Sequence, residues 1–247
     1  MLFPQKLISD TETERLRRVY QTYQQQGYWK KRWSTDNPGN REILAERDRL
    51  IAGQIIHLFK RLGHKVNFLE MGCGSGVLLE NMLRLTGREI FAQVIGVDLD
   101  IQRLLEAGQR LAGIQLICCD AAVPPLRAAD FHVVLLATVF SSVLDEQKQR
   151  ALATAAQTLI RANGIILVYD FRYPSPRNPY VRPVLRKQLQ TWFPGMVMNY
   201  RSLTLLPPLA RRLGKQASRW YPLLVRLPVL RSHFLAVFSN HEKLTFE

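Results

Sequence analysis

Three glycines at alternate positions follow an acidic residue in the stretch from Phe68 to Gly76, which reads FLEMGCGSG. An apolar run precedes the glycines and apolar residues at helical spacing follow from Val77, so the stretch is predicted to be a strand-to-helix turn. Glycine lets the backbone bend sharply and lets a ligand reach the main chain, which a Cβ would block. The chemistry that this pattern supports is nucleotide-type ligand binding, with a ligand-free tight turn as the alternative.

Acidic residues also follow later predicted strands, at Asp98, Asp120 and Asp170. Ligands of open α/β sheets lie outside the carboxyl ends of the strands, where these side chains meet. Asp98, after the second strand, is placed to accept hydrogen bonds from both ribose hydroxyls of a nucleoside. Asp98 and Asp120 have the alternative of being helix caps or turn residues. The joint placement favours an adenosine-type ligand.

The predicted elements alternate between strands and helices, which indicates a doubly wound, mostly parallel α/β sheet. A capping-box pattern at 9–12 is expected to begin an N-terminal helix that runs to about Gln26. Strands are predicted at 66–69, 91–97, 114–118, 131–137, 164–169, 196–206 and 234–239. Further helices are predicted from Val77, around 103–111, and at 41–62, 145–160 and 184–192.

Four motifs together resemble the class I S-adenosylmethionine-dependent methyltransferases. They are the E-x-G-x-G-x-G form of Glu70 to Gly76, Val97-Asp98-Leu99, Cys119-Asp120-Ala121 and the Asn163-Gly164 turn before the fifth strand. The resemblance covers residues 43–171 well and extends loosely to the C-terminal strand pair. It implies a seven-stranded, mostly parallel Rossmann-like sheet with an antiparallel C-terminal strand, and S-adenosylmethionine as the cofactor.

The resemblance also implies roles for individual residues. The loop residues Gly72, Cys73, Gly74 and Gly76 would approach the aminoacyl part of the cofactor, as would the backbone of Ala137 and Thr138. Asp98 would bind the ribose, Leu99 would pack on adenine, and Asp120, followed by Ala121, would accept from the adenine amino group. A dinucleotide is the competing ligand, but Val77 stands where its fingerprint needs a third glycine. Glu70, a further candidate cofactor-binding residue, suits a cationic aminoacyl ligand better than a pyrophosphate, which it would repel. A degenerate, non-catalytic fold is a further alternative, which the intact glycines and aspartates disfavour.

These motifs predict a single methyltransferase domain over residues 1–247. Residues 1–40 are expected to form an N-terminal helical lid and residues 41–171 the cofactor-binding core. Residues 172–247 are expected to form a substrate-side part. This part includes a basic helical insertion between the last two strands, the cap, at about 207–232.

The formal net charge of +14 is concentrated in the C-terminal third, where residues 171–241 hold twelve Lys and Arg and no Asp or Glu. Ten of the twelve are arginine, which suits bidentate contact with phosphate or carboxylate. An anionic or apolar acceptor, small or lipid-linked, is therefore expected. The cap is predicted to complete the acceptor pocket, or alternatively to lie peripherally on an anionic membrane. A solvated cationic surface and an RNA-directed methyltransferase are further alternatives, although nucleic acid is disfavoured because no RNA-binding module is recognisable.

The loop after the fourth strand reads ATVFSS over residues 137–142 and lacks the Asn/Asp-Pro-Pro-aromatic pattern of base N-methylation. We therefore expect O-methylation of a small, lipid-linked or phosphate-linked acceptor, such as a glycan intermediate or a natural-product precursor. Asp170 is the candidate base or substrate-orienting group, with pairing to Arg172 as its alternative, and His233 is a second candidate. Tyr28, Arg172 and Tyr173 are candidate substrate-binding residues.

Composition excludes several other classes of protein. No apolar run reaches the 18 residues of a membrane span, and the N-terminus lacks a signal-peptide pattern, so a cytoplasmic location is expected. A peripheral position at the inner face of the membrane is the alternative. The three cysteines, Cys73, Cys118 and Cys119, show neither metal-ligand spacing nor a disulfide framework. We interpret all three as packing residues and expect no metal site.

Overall fold

The computed structural model describes residues 5–28, 32–175 and 178–240. Seven strands form one sheet in the order β3-β2-β1-β4-β5-β7-β6. The strands are β1 (Val66–Met71), β2 (Phe91–Asp98), β3 (Gln115–Cys118), β4 (Phe131–Ala137), β5 (Ile160–Phe171), β6 (Val197–Leu205) and β7 (Arg231–Ser239).

The first five strands pair in parallel, and β7 is antiparallel to both β5 and β6. The predicted mostly parallel sheet with an antiparallel C-terminal strand is therefore confirmed. The strand order reverses between β1 and β4, so this is the switch point where a ligand crevice opens in a doubly wound sheet.

Helices cover both faces of the sheet. They are α1 (Gln5–Gln25), α2 (Pro38–Leu62), α3 (Val77–Thr86), α4 (Ile101–Arg110), α5 (Glu146–Leu159), α6 (Arg186–Trp192), α7 (Pro207–Arg212) and α8 (Ala217–Leu224). The long helix α2 begins at Asn37, whose side chain accepts hydrogen bonds from the N–H groups of Gly39 and Asn40. It ends at Gly63, which adopts a left-handed conformation with φ of 70°.

Two apolar layers hold the sheet between the helices. Ile55 of α2 and Met82 of α3 belong to the cluster on one face, together with Phe68 of β1. Leu152 of α5 and Trp192 of α6 belong to the cluster on the other face. Because the central strands are buried on both sides, the loops at their carboxyl ends are held by a rigid support.

Several predicted boundaries differ from the structure. Helix α1 begins at Gln5, so the predicted capping box lies inside the helix, where Glu12 instead pairs with Arg15. Strand β5 begins at Ile160, and the predicted Asn163-Gly164 turn lies in an irregular stretch within it, because the register with β4 shifts there. Cys118 is exposed, so its assignment as a packing residue is wrong.

The cap lies between β6 and β7 and comprises α7, α8 and short 3-10 turns at Gly214–Gln216 and Pro228–Leu230. Both α7 and α8 contact α2. Trp29, Lys30 and Lys31 of the predicted lid lie outside the described residues. Among the helices of the described ranges, none is long and apolar enough to cross a membrane.

Candidate functional site

The glycine loop turns tightly against the end of β2. Gly72, Gly74 and Gly76 have φ values of 79°, 55° and 74°, a region that residues with a Cβ rarely adopt. The N–H groups of Gly72 and Cys73 both donate to the carbonyl of Val97, at 2.7 and 3.0 Å. The loop needs its glycines for conformation, as the sequence predicted.

Asp98 is buried at 4% exposure and shapes the loop from the next strand. Its Oδ2 accepts from the N–H of Gly74 at 2.7 Å, and its Oδ1 accepts from the N–H of Asp100 at 2.9 Å. A carboxylate has about four lone-pair positions, so acceptor capacity for two hydroxyls remains. The geometry is compatible with the ribose-binding role implied for this residue.

Glu70 is the penultimate residue of β1, next to β2 in the sheet, and is 2% exposed. Its Oε2 is buried without a hydrogen-bond partner among the described residues. The pKa of Glu70 is raised to about 8, chiefly by burial; Arg47 opposes this shift and the nearby Asp98 adds to it. A buried acid with an unpaired oxygen beside a glycine loop is suited to receive a cationic group such as an ammonium.

Two arginines near Glu70 were not predicted. Arg47 of α2 donates to Asp48 at 2.7 Å, and Arg103 of α4 lies so close to Gly74 that a Cβ there would be 2.0 Å from Arg103 Nη2. Arg103 also lies over the ring of Tyr20, 5.4 Å from its centroid. The sequence pattern could have indicated the Arg47-Asp48 pair, because these charged residues interrupt the apolar stripe of α2. The sequence pattern could not have indicated Arg103, since its position in α4 is ordinary for a charged residue.

Asp120 follows β3 and is already engaged. Its Oδ2 accepts from Lys148 Nζ and from Thr13 Oγ1, and its Oδ1 accepts from the N–H of Ala122 at 3.0 Å. Partial burial raises the pKa of Asp120, but the bonds from Lys148 and Ala122 outweigh this and keep it below its ordinary value. The predicted contact with an adenine amino group would have to use the remaining capacity of Oδ1.

The end of β4 has a strained backbone. Thr138 has φ of 58°, which is uncommon for a β-branched residue, and its N–H donates to the carbonyl of Tyr169 at 2.7 Å. The side chain of Val139 lies against the glycine loop, where a Cβ on Gly72 would be 2.7 Å from Val139 Cγ2. The loops of β1 and β4 thus meet at the switch point.

The other predicted cofactor residues lie partly buried at the same edge of the sheet. They are Leu99, Ala121 and Ala137. Cys73 is buried, and burial raises the pKa of its thiol well above its ordinary value, so it is not a reactive thiolate. The direct contact of each residue with a cofactor stays a prediction.

Helix α1 covers this edge. Glu12 Oε1 accepts from the N–H of Leu144 at 2.7 Å, and Arg15 Nη2 donates to the carbonyl of Ser142 at 2.7 Å. Together with the bond from Thr13 to Asp120, these contacts fix α1 to the loops after β3 and β4. The helix is therefore held against the carboxyl edge of the sheet, and its role as a lid stays a prediction.

The two candidate bases do not face an open site. Asp170 is fully buried, and its oxygens accept from the N–H groups of Ser141 and Phe171 at 3.1 and 2.8 Å. Burial raises its pKa to about 6, but the side chain anchors the loop after β4. His233 is 1% exposed and stacks on Tyr169, and burial lowers its pKa to about 3. Both side chains are buried away from solvent in this structure, so a role as general base stays a prediction for either residue.

The predicted substrate residues are not brought together in one cluster. Arg172 donates to the carbonyls of Pro228 and Arg231 at 3.2 and 2.8 Å, so it ties β5 to the end of the cap rather than pairing with Asp170. Tyr173 is 40% exposed beneath the Arg172 guanidinium. Tyr28 stacks on Tyr23 at the end of α1, with ring centroids 4.5 Å apart.

A family model described as a methyltransferase domain matches residues 68–164, which include the glycine loop, Asp98 and Asp120. The match spans β2, β3 and β4 and ends within β5, and it coincides with the switch-point geometry. The chain therefore contains a methyltransferase domain, and its fold is that of S-adenosylmethionine-dependent methyltransferases. No curated protein sequence gives a significant match to the chain.

Solved methyltransferase structures share the fold at low sequence identity. A putative sarcosine dimethylglycine methyltransferase from Galdieria sulphuraria has a TM-score of 0.59 at 11% identity, over 83% of this chain and 89% of that chain. The N-methyltransferase NodS from Bradyrhizobium japonicum WM9 has a TM-score of 0.57 at 17% identity, over 84% and 90%. The geranyl diphosphate C-methyltransferase from Streptomyces coelicolor A3(2) has a TM-score of 0.56 at 15% identity, over 81% and 84%.

The residues at the switch point fit S-adenosylmethionine, the cofactor of this class. Glycines at 72, 74 and 76 leave the main chain open where a Cβ would intrude. The unpaired Glu70 Oε2 suits the ammonium group, and Asp98 keeps capacity for the ribose. The methyltransferase domain is therefore supported by its own side chains as well as by the family match.

Proposed function

We propose that the protein transfers a methyl group from S-adenosylmethionine to an oxygen atom of an anionic or apolar acceptor, small or lipid-linked. The position of the cap supports this proposal most strongly. Tyr221 of α8 donates to Glu46 of α2 at 2.7 Å, and Arg211 of α7 donates to Asn40 of α2 at 2.9 Å. The acid-free part of the chain thus adjoins α2. Arg47, which follows Glu46 in this helix, lies near Glu70.

The cofactor supplies a methyl group already activated on a sulfonium, so the protein has to align the acceptor and exclude water. Helix α1, the β4 loop and the cap are the elements available for alignment. Asp170 and His233 are both buried away from solvent. An acceptor oxygen that is acidic enough to ionise near neutral pH needs no protein base, and nearby arginines favour its ionised form.

Oxygen is proposed as the accepting atom because the sequence ATVFSS after β4 lacks the motif of base N-methylation. The structural neighbours include proteins described as N- and C-methyltransferases, so the fold permits other atoms. A phosphate-linked glycan intermediate or an acidic natural-product precursor meets the proposed chemistry.

The outer surface of the cap supports a further proposal, peripheral contact with an anionic membrane. Its exposed apolar side chains include Trp220, Leu223, Leu227 and Val229, with exposed fractions of 40%, 50%, 51% and 71%. Exposed Arg and Lys side chains surround them, a combination found in interfacial segments. Sedimentation with anionic vesicles at low salt tests this contact, and failure to sediment would remove it.

Binding of RNA is the alternative suggested by the same charge. Some of the arginines are already used inside the protein, because Arg172 and Arg231 donate to carbonyls at the end of the cap. An RNA titration over a salt series distinguishes RNA from a small or lipid-linked acceptor as the binding partner. A steep loss of affinity with increasing salt would support RNA as the partner and oppose a small acceptor.

The proposed reaction is tested with labelled cofactor. The protein is incubated with methyl-labelled S-adenosylmethionine and panels of phenols, carboxylic acids, amines and lipid-linked phosphoglycans. Label is expected on an oxygen of an acidic or lipid-linked acceptor. Label found only on nitrogen or carbon would refute O-methylation, while calorimetry with the cofactor alone tests binding separately.

A further inference from the structure

Two arginines from distant parts of the chain meet at a cleft of about 570 Å³ beside the cap. Arg32, just before α2, and Arg211, in α7, line it together with Gln26 and Tyr28. Neither arginine has an ion pair with a carboxylate among the described residues. Two unneutralised guanidinium groups at one cleft are unfavourable unless an anion joins them.

The Arg211 guanidinium is held in a fixed position. Its Nε donates to Asn40 Oδ1 at 2.9 Å, and its Cζ lies 5.0 Å from the centroid of the Trp33 ring. Asn40 is 2% exposed and also donates to the carbonyls of Arg32 and Ser34, so it fixes both sides of the cleft. A preorganised guanidinium loses little entropy when it binds an anion.

The Arg211 guanidinium nevertheless lacks full hydrogen bonding. Its Nη2 is buried and has no partner among the described residues. Burial and the nearby Arg32 lower the pKa of Arg211, with only Tyr28 acting in the opposite direction. A buried N–H donor without an acceptor is costly, and an anionic oxygen in the cleft would remove that cost.

The cleft adjoins the N-terminal part of α2 through the contact of Arg211 with Asn40. Asn40 and Arg47 are seven residues apart in α2, so they project from nearly the same face, roughly 10 Å apart along the helix axis. Arg47 lies next to Glu70 and the glycine loop. A molecule bound at Arg211 would therefore lie beside the helix face that also carries Arg47.

We propose that Arg32 and Arg211 bind a phosphate group of the methyl acceptor. A phosphomonoester carries close to two negative charges, which match the two guanidinium groups, and its oxygens suit their bidentate geometry. A diphosphate offers at least as much negative charge and the same kind of oxygens. This inference rests on the proposed methyltransferase function and narrows its acceptor to a phosphate-bearing molecule.

Calorimetric titration with inorganic pyrophosphate at constant ionic strength tests the site. Arg211→Gln and Arg32→Gln are each expected to weaken binding about tenfold or more, the usual loss for a charge-assisted bond. Arg212→Gln is the matched control, because it removes the same charge from an exposed position of the same helix. The affinity for S-adenosylmethionine should be the same in all four proteins.

Absence of pyrophosphate binding to the wild type, or an equal loss in Arg212→Gln, would overturn the site. Thermal melting of each variant detects misfolding, and Arg32→Gln serves if Arg211→Gln does not fold. Failure to bind S-adenosylmethionine while pyrophosphate still binds would refute the methyltransferase function but not the anion site. Sedimentation with phosphatidic acid vesicles shows whether the bound phosphate belongs to a lipid or to a soluble molecule. Sedimentation of the wild type that is lost in Arg211→Gln indicates a lipid phosphate. Binding of pyrophosphate without sedimentation indicates a soluble phosphate.

Discussion

Replacement of Asp98 by alanine tests two roles of this side chain, one in the stability of the glycine loop and one in cofactor binding. In the wild type the two carboxylate oxygens accept from the N–H groups of Gly74 and Asp100, at 2.7 and 2.9 Å. Asp98→Ala leaves both N–H groups without this acceptor and is expected to lower the free energy of unfolding by about 3 kcal/mol, from roughly 1.5 kcal/mol for each bond to a charged group. It also removes the predicted acceptor for the ribose hydroxyls.

The loss of the ribose contact is expected to weaken S-adenosylmethionine binding by about 1–3 kcal/mol, which raises Kd roughly 5- to 150-fold. Isothermal titration calorimetry measures the affinity, and urea denaturation measures the stability of the same samples. Asp98→Asn keeps one carbonyl acceptor, so both losses should be smaller than in the alanine variant.

Asp100→Ala is the matched control for this experiment. Asp100 lies two residues away, and its Oδ1 caps α4 by accepting from the N–H of Gln102 at 2.9 Å. Its loss should lower stability by about 1 kcal/mol and leave the affinity for the cofactor unchanged. An unchanged Kd in Asp98→Ala, or an equal rise in Asp100→Ala, would refute the assigned geometry.

Three further substitutions test other parts of the structure. Because the pKa of Glu70 is raised from 4.5 to about 8, the cofactor-free protein should lose stability as the pH rises from about 4.5 to 8. Glu70→Gln should remove this pH dependence in melting experiments. An identical pH profile in the variant would contradict the prediction. Lys148→Met leaves Asp120 without its cation and should lower the free energy of unfolding by about 3 kcal/mol, measured with urea. The lowered pKa of Asp120 contributes stability above its ordinary value of 3.8, so the variant should also lose less stability than the wild type on acidification below that value. Gly39→Ala would place a Cβ 2.0 Å from a backbone carbonyl of α7 and should lower the melting temperature, while Gly53→Ala on the same helix meets nothing within 4 Å and should not.

The local pattern of the sequence was sufficient for most of the fold. Apolar runs of four to seven residues predicted the five strands that are buried on both faces, β1, β2, β4, β5 and β7, because such strands have few polar positions. It failed where tertiary contacts override local signals. The start of α1 was wrong because Glu12 bonds Arg15 and the loop at Leu144 instead of capping the helix. The start of β5 was wrong because pairing with β4 resumes through a shift in register.

The sequence by itself determined the glycine loop, the acidic residues at the strand ends and the methyltransferase family, since each depends on residue type at short spacing. Only the tertiary structure decided which of these groups are accessible. It buried Asp170 and His233, paired Asp120 with Lys148, and left Glu70 Oε2 without a hydrogen-bond partner among the residues that the structure describes. Burial and charge pairing depend on residues brought together from distant parts of the chain, which local spacing does not encode.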